Sequence, residues 1–305
     1  MKLSVVICTH NRADLLAGSI MTLDKQEGIE SSDYEIVVVD DGSTDHTRDA
    51  VEKLKTKVPV SYYFKDWGGR AEARNLGIEK AQGEIIVFVD DDVLAPPHFL
   101  LSHLKEYKDG EKTVVRGPIV NVQEYVIIPD FTPKMFHMSG AFFCTCNASS
   151  TRKILMEIGG FDPGFKEYGF EDNEIGWRLR QHGCKVNFSM DAYIFHYKPV
   201  ESKKREQVVA ELKSKAGEMG RSAAIYFSKH PHWKVKMAVG LHPLNYYFQR
   251  ILSCKPVAEY SEKVLLSGKS EGNPVMHAFF TDRIFQHHYL SSIRNALSDN
   301  GGRKE

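Results

Sequence analysis

Three aspartates in a row, Asp90–Asp91–Asp92, follow the apolar run Ile85–Ile86–Val87–Phe88–Val89. Residues that are mostly β-branched or aromatic suit a strand buried on both faces. Side chains alternate along an extended backbone, so Asp90 and Asp92 point to one side and Asp91 to the other. Carboxylates held that close repel unless a proton, a cation or several donors compensate them. A divalent cation with oxygen ligands, Mg²⁺ or Mn²⁺, fits such a pair and in turn favours phosphate oxygens as further ligands. The position adds weight, because open α/β sheets bind ligands at the carboxyl ends of their strands. Asp91, on the far side, is the control position of the three.

A second apolar run ends the same way, in Val37–Val38–Val39–Asp40–Asp41–Gly42–Ser43–Thr44–Asp45. If the two strands are near neighbours in one sheet, Asp40 and Asp90 share a rim. There Asp40 would accept a hydrogen bond from a nucleobase N–H. Asp41 to Asp45 read instead as a turn and helix cap.

The elements that must position these carboxylates alternate. Strands are expected over 3–8, 34–39, 58–64 and 85–89. Helices are expected over 12–26, from Ser43 or Thr44 through Leu54, and over 70–82 with Gly83 as a C′ glycine. Pro96–Pro97 opens the next helix. This alternation predicts an α/β fold, a mostly parallel central sheet flanked by helices on both faces. Further strands are expected over 113–122, 141–148 and 185–197. Helices are expected over 150–158, closed by Gly159–Gly160, and over 171–182, ended by Gly183. Residues 202–229 form a long helix, its apolar stripe running through Val208, Val209, Leu212, Ala216, Met219, Ala223 and Phe227. Its other side is basic, with Lys203, Lys204, Arg205, Lys213, Lys215 and Arg221.

Bulk properties exclude several classes. The 305 residues carry 40 Lys+Arg against 40 Asp+Glu, which gives no electrostatic case for nucleic acid. A 42% hydrophobic content is ordinary for a globular protein. The five cysteines are too few and too scattered for a disulfide framework and fit a reducing, cytoplasmic compartment. Cys8, Cys144, Cys146 and Cys184 read as small buried residues. No segment reaches the length of an apolar membrane span.

At this point the sequence resembles the GT-A glycosyltransferases of family 2. The motifs that carry the likeness are Thr9–His10–Asn11–Arg12, Val38 through Asp45, Ala73–Arg74–Asn75–Leu76–Gly77–Ile78, Asp90–Asp91–Asp92, Gly159–Gly160–Phe161–Asp162 and Glu171–Asp172. They fall in family order and cover residues 1 to about 198. The resemblance implies a Rossmann-like GT-A fold, a nucleoside-diphosphate sugar donor (a UDP-sugar foremost) and Mn²⁺ or Mg²⁺ at its diphosphate. It implies Asp92 as the principal metal ligand and His196, after the late strand, as a second. Thr9, Asn11, Arg12, Asp40, Arg74, Asp90 and Asp91 become the nucleotide-sugar residues, with Thr9 and Asp40 against the base and Asp90 toward ribose or a metal-bound water. Of the late acidic pair, Asp172 is the implied general base and Glu171 the second choice. The reaction would invert the anomeric carbon and move the sugar to a hydroxyl of a glycan or lipid-linked acceptor. The 125–138 loop would close over the donor.

The domain reading follows: residues 1–200 a catalytic domain, with 1–110 its nucleotide-binding half and 111–200 its acceptor half, and 201–305 a helical C-terminal extension. The basic side of the 202–229 helix is the expected peripheral contact with the inner face of an anionic membrane. Other readings fit less well. A haloacid-dehalogenase-type phosphohydrolase expects its Asp-x-Asp near the start of the domain. A sugar nucleotidyltransferase should open with a glycine-rich basic loop, and no G-x-G-x-x-G supports an NAD site. An inactive nucleotide-sugar-binding protein would not need Asp90, Asp92, Glu171 and Asp172 together.

Overall fold

The computed structural model describes residues 1–108, 111–137, 139–200 and 202–301. It divides into two units, one of Met1–Lys166 with Asp172–Val200, the other of Glu167–Glu171 with the chain after Val200.

Among the described residues the first unit holds ten strands: β1 (Leu3–Thr9), β2 (Tyr34–Asp41), β3 (Val60–Lys65), β4 (Ile85–Val89), β5 (Val93–Leu94), β6 (Thr113–Arg116), β7 (Ile119–Val122), β8 (Asn147–Thr151), β9 (Lys185–Phe188) and β10 (Ile194–Tyr197). Its helices are α1 (Ala13–Leu23), α2 (Thr47–Glu52), α3 (Arg70–Lys80), α4 (Phe99–Leu104), α5 (Arg152–Glu157) and α6 (Glu171–Gln181). Seven strands form one sheet in the order β3-β2-β1-β4-β8-β6-β9, and β5-β10-β7 form a second. In the large sheet only β8 runs against its neighbours.

The alternation of apolar side chains builds a core on each face. Val5, Ile7, Ile36, Val38 and Val87 pack under Leu16 and Ile20 of α1 and Phe99 of α4. Val6, Val37, Val39, Ile86 and Phe88 pack under Ala73 and Ile78 of α3, Leu155 of α5 and Ile175 and Leu179 of α6. The parallel sheet with helices on both faces is therefore as expected.

Four local expectations fail for physical reasons. The strand expected over 113–122 breaks at Gly117–Pro118 into β6 and β7, which join different sheets. Proline has no N–H for the ladder, and a Cβ on Gly117 would lie 1.7 Å from the Ala192 carbonyl oxygen. The strand expected over 185–197 breaks likewise into β9 and β10. The strand expected over 141–148 lies at Asn147–Thr151 instead, between β4 and β6. It is polar, because its buried side chains answer partners rather than a greasy face. Finally, α3 ends at Lys80, and Gly83 has no left-handed φ. It is small because a Cβ there would sit 2.4 Å from the Leu3 carbonyl carbon.

Smaller shifts occur at helix starts. Asp45, not Ser43 or Thr44, accepts from the first turn of α2, through the Thr47 N–H at 3.0 Å. Gly159 and Gly160, at φ +80° and +67°, do close α5, and Gly183 at +88° follows α6.

The second unit is helical: α7 (Arg205–Lys229), α8 (Trp233–Ala238), α9 (Pro243–Leu252), α10 (Lys255–Leu266) and α11 (Pro274–Gly301). The buried face of α7 differs from the expected stripe. Val208 is exposed, and Val209, Ala216, Gly217, Gly220, Ala223, Ala224 and Tyr226 are buried. Small residues let α11 approach closely, since a Cβ on Gly220 would meet the Tyr289 carbonyl oxygen at 2.5 Å. Four of the six basic residues expected on this side are paired with acids of the same unit. Lys203 pairs with Glu211, Arg205 with Glu271, Lys213 with Glu262 and Arg221 with Glu167. The Lys215 ammonium lies over the Tyr168 ring. Among the described residues no helix is long and apolar enough to cross a membrane.

Candidate active site

The carboxyl ends of β1, β2 and β4 lie side by side, with Thr9 opposite Asp40 and Ile7 opposite Val89. Because β8 runs the other way, its amino end reaches this same rim, with Asn147 opposite Val89. The rim thus collects Thr9, Asp40, Asp90–Asp92 and the segment 144–147. The second sheet adds His196, which pairs with Val93 immediately after Asp92. The Tyr197 N–H donates to the Asp92 carbonyl at 2.9 Å.

Asp92 is buried between two cations or potential cations. One oxygen accepts from Arg12 Nη1 at 2.6 Å. The other lies 3.1 Å from His196 Nε2, yet it has no hydrogen-bond partner of acceptable geometry. Burial pushes its pKa up, but His196 and Arg12 outweigh this and hold the carboxyl below its usual range. Ligand atoms of Asp90, Cys146 and His196 lie within 4.8 Å of one another. A buried carboxylate oxygen without a partner, beside a carboxylate, an imidazole and a thiol, is a donor set that fits a divalent cation. The Cys146 thiol is buried, and burial and then Asp90 raise its pKa well above the ordinary value.

Asp91, the expected control position, is not idle. It is buried, accepts from Thr9 Oγ1 at 2.7 Å and lies 3.2 Å from Arg12 Nη1. Burial pushes its pKa up to about 6 against the pull of Thr9 and Arg12. The turn itself is held from below by Ser19 of α1, whose hydroxyl meets the Asp91 and Val93 carbonyls at 2.8 and 2.7 Å.

Thr9 and Asp40, expected at a nucleobase, are both engaged inside the rim. Asp40 is buried and accepts from the Ser43 N–H at 2.7 Å and from the Tyr62 hydroxyl. Asn11 adopts φ +53°, which asparagine tolerates better than most residues. Its side-chain oxygen accepts from the N–H groups of Thr44 and Asp45 at 2.8 and 3.2 Å. The loops after β1 and β2 are thereby stitched together. Asp41 follows the structural reading and accepts from Lys65 and the N–H groups of Gly68 and Gly69 at 2.8 to 2.9 Å. That fixes the loop carrying Trp67, which is exposed.

Asp172, the second residue of α6, is held in one orientation. The Thr145 N–H donates to it at 2.9 Å and the Thr145 hydroxyl lies 3.1 Å from both its oxygens. Arg74 Nη1 stands 3.5 Å away, its guanidinium over the Phe161 ring. Asn75 fixes that ring's backbone, donating to the Phe161 carbonyl and accepting from its N–H, each at 2.7 Å. Glu171, the first residue of α6, is buried. Sequence reasoning missed Thr145 and Cys146. Consecutive residues on the 144–147 segment place one side chain on Asp172 and the next beside Asp90 and His196.

It also missed the support beneath them. Asn147 Nδ2 donates to the Pro118 and Ala192 carbonyls at 3.0 and 2.8 Å, which leaves its oxygen to accept from His103 Nε2–H at 2.9 Å. His103 Nδ1 then accepts from Ser149, whose oxygen accepts from the Tyr107 hydroxyl, both at 2.9 Å. The chain has one consistent arrangement of protons, with His103 neutral. Burial pushes the His103 pKa down to about 4. A folded-state value below the unfolded 6.5 stabilises the fold above pH 6.5, and this is lost as pH falls toward 4. The full shift corresponds to about 3 kcal/mol. The stability advantage of the wild type over His103→Asn, measured by urea unfolding, is expected to narrow across that window. A pH-independent difference would contradict the neutral assignment.

The 125–137 part of the expected closing loop is anchored at its base; Met138 lies outside the described residues. The Tyr125 hydroxyl donates to the Leu15 carbonyl at 2.8 Å and its ring packs on Tyr197, with room left by Gly18. Met135 and Phe136 are exposed.

Residues 4–166 match the family model for glycosyl transferase family 2. The chain is 33% identical over 229 residues to the validoxylamine A glucosyltransferase of Streptomyces hygroscopicus subsp. jinggangensis, covering 63% of this chain and 54% of that protein. It is 26% identical over 240 residues to the chondroitin synthase of Escherichia coli, covering 65% of this chain and 35% of that one. The chain spans about half the length of the validoxylamine A glucosyltransferases it matches. Among solved structures, the mannosyltransferase PcManGT of Pyrobaculum calidifontis aligns with TM-score 0.62 and 18% identity over 100% of this chain and 88% of that one. S. aureus TarS 1–349 aligns with TM-score 0.56 and 18% identity over 99% and 92%. At that identity the structural likeness speaks for the fold, which is of the GT-A type. The family match spans more than half of the chain and contains the Asp-x-Asp rim, and this chain belongs to glycosyl transferase family 2.

Proposed function

We propose that the chain transfers a sugar from a nucleoside-diphosphate sugar, a UDP-sugar foremost, to a hydroxyl of a glycan or lipid-linked acceptor, with inversion and with Mn²⁺ or Mg²⁺ bound. The observation that carries this reading is the unsatisfied, buried oxygen of Asp92 beside His196 at the carboxyl rim of the sheet. The names of relatives point the same way. TarS has been crystallised with UDP and with UDP-GlcNAc, and PcManGT with GDP-Man and Mn²⁺.

Asp92 and His196 would hold the cation, with Asp90 toward ribose or a metal-bound water. A cation bound there would supply positive charge opposite a diphosphate leaving group. Arg12, now on Asp91 and Asp92, is within reach to meet phosphate once Asp92 is otherwise occupied. Thr9, Asn11 and Asp40 serve the base end through the loops they fix, and Asp91 serves it by holding Thr9 and Arg12. Asp172 would take the proton of the acceptor hydroxyl as it attacks opposite the leaving group, which inverts the anomeric carbon. Arg74, between Asp172 and Phe161, would keep the base aligned beside the donor. The 125–138 loop would exclude water as it closes. The protein would work in the cytoplasm, peripheral to the inner face of the membrane.

The test is a screen of UDP-, GDP- and dTDP-sugars for slow hydrolysis, with and without EDTA. One base is expected to give nucleoside diphosphate release that EDTA abolishes. Tight nucleotide binding with no turnover of any donor would make the chain a sensor rather than a transferase.

A further inference from the structure

We propose that α8 and α9 form a docking surface for an anionic lipid bilayer. In α9, Leu244, Tyr247, Phe248 and Ile251 recur at i, i+3, i+4 and i+7, one stripe of a helix. They are 79%, 62%, 60% and 71% exposed, and no residue of α9 is buried. The helix is tethered elsewhere, through Gln249, which accepts from Arg283 of α11 at 3.1 Å. Trp233 and Met237, one turn apart in α8, are 62% and 53% exposed. A stripe of this kind left in water marks an interaction surface.

Charge decides what covers it. Between Glu218 and Glu259 the sequence has no acidic residue, although Asp and Glu make up 40 of the 305. Lys234, Lys236, Arg250 and Lys255 flank the exposed apolar residues along this stretch. An amphipathic helix with a basic border and Trp or Tyr at the margin is the pattern of interfacial membrane binding. A second copy of the chain would bring the same basic border against itself. The basic side of α7, by contrast, has Lys203, Arg205, Lys213 and Arg221 already paired with acids and offers a bilayer less net charge. The peripheral contact expected of α7 therefore moves to α8 and α9.

This deepens the proposed function by naming where a lipid-linked acceptor would be met, and it rests on that reading only for its purpose. The experiment is flotation of the full chain with phosphatidylcholine vesicles, with or without phosphatidylglycerol. Phosphatidylglycerol is expected to raise bound protein about tenfold, and salt to reverse this. Phe248→Ser with Ile251→Ser is expected to lower binding by a similar factor, and Lys236→Glu with Arg250→Glu to remove the lipid preference. The helical circular dichroism and the urea midpoint of both variants should match the wild type, which shows that each is folded. Equal binding to both vesicle types overturns the proposal. So does a wild type that ignores vesicles but self-associates in ultracentrifugation, with Phe248→Ser and Ile251→Ser restoring the monomer. Donor hydrolysis is measured beside flotation, so either reading can fail without the other.

Discussion

Asp92→Asn is expected to weaken UDP binding in the presence of Mn²⁺ by about 100-fold or more, to the level the wild type shows in EDTA. The substitution keeps the shape of the side chain and removes its charge. In the wild type that carboxylate is ionised well below neutral pH, because Arg12 and His196 face it from both sides. The oxygen toward His196 is buried and lacks a hydrogen bond, standing 3.1 Å from that imidazole, an arrangement that fits the proposed cation. A 100-fold loss is about 2.7 kcal/mol, within the several kcal/mol a divalent cation contributes to holding a diphosphate. Calorimetric titration of UDP with Mn²⁺, and again with EDTA, reads the effect; GDP and dTDP are run beside it. Equal affinities in wild type and variant would remove Asp92 from the metal site. His196→Gln separates one protein ligand from two: a drop of about tenfold or more in Mn²⁺ affinity marks a second ligand. Asp91→Asn is a poor control, since it disturbs Thr9 and Arg12 together.

What the sequence made legible is the half of the rim built by parallel strands. Runs such as Val37–Val39 and Ile85–Val89 declare themselves by composition, and an aspartate at the end of a buried parallel strand has only one rim to occupy. The other half was hidden because its strand is polar. Asn147, Ser149 and Ser150 of β8 are buried, and each is satisfied by His103, Tyr107 or a carbonyl rather than by apolar contact. No periodicity signals a strand whose interior is a hydrogen-bond chain. Thr145 and Cys146, which stand just before it, were unreadable for the same reason. Gly83 was misread because a helix-ending glycine and a glycine pressed against another strand's backbone look alike in sequence. In α7 the sequence displays the lysines and arginines, while the acids that pair with them come from Glu167, Glu262 and Glu271, far along the chain.

Asp172→Asn is expected to lower kcat for donor hydrolysis, and for transfer once an acceptor is found, by about 1,000-fold. Donor affinity should remain within about threefold, because the proposed cation ligands are other residues. The geometry separates this role from plain helix capping. Thr145 gives two donors to the Asp172 carboxylate and Arg74 stands at 3.5 Å, so the side chain is oriented from outside its own helix. An asparagine fits the same space and still accepts from Thr145 through its amide oxygen, but it cannot take a proton at neutral pH. Thr145→Ala should show a smaller loss, in kcat more than in KM, and Thr145→Ser should restore most of it, because the hydroxyl and the N–H both remain. Glu171→Gln is the internal comparison, adjacent in sequence and buried at the first position of α6. If Glu171→Gln removes turnover and Asp172→Asn spares it, the base is Glu171, and the Thr145–Asp172 contact is a structural latch on the start of α6. If both variants keep turnover, neither carboxylate is the base, and proton transfer must be assigned elsewhere on the rim.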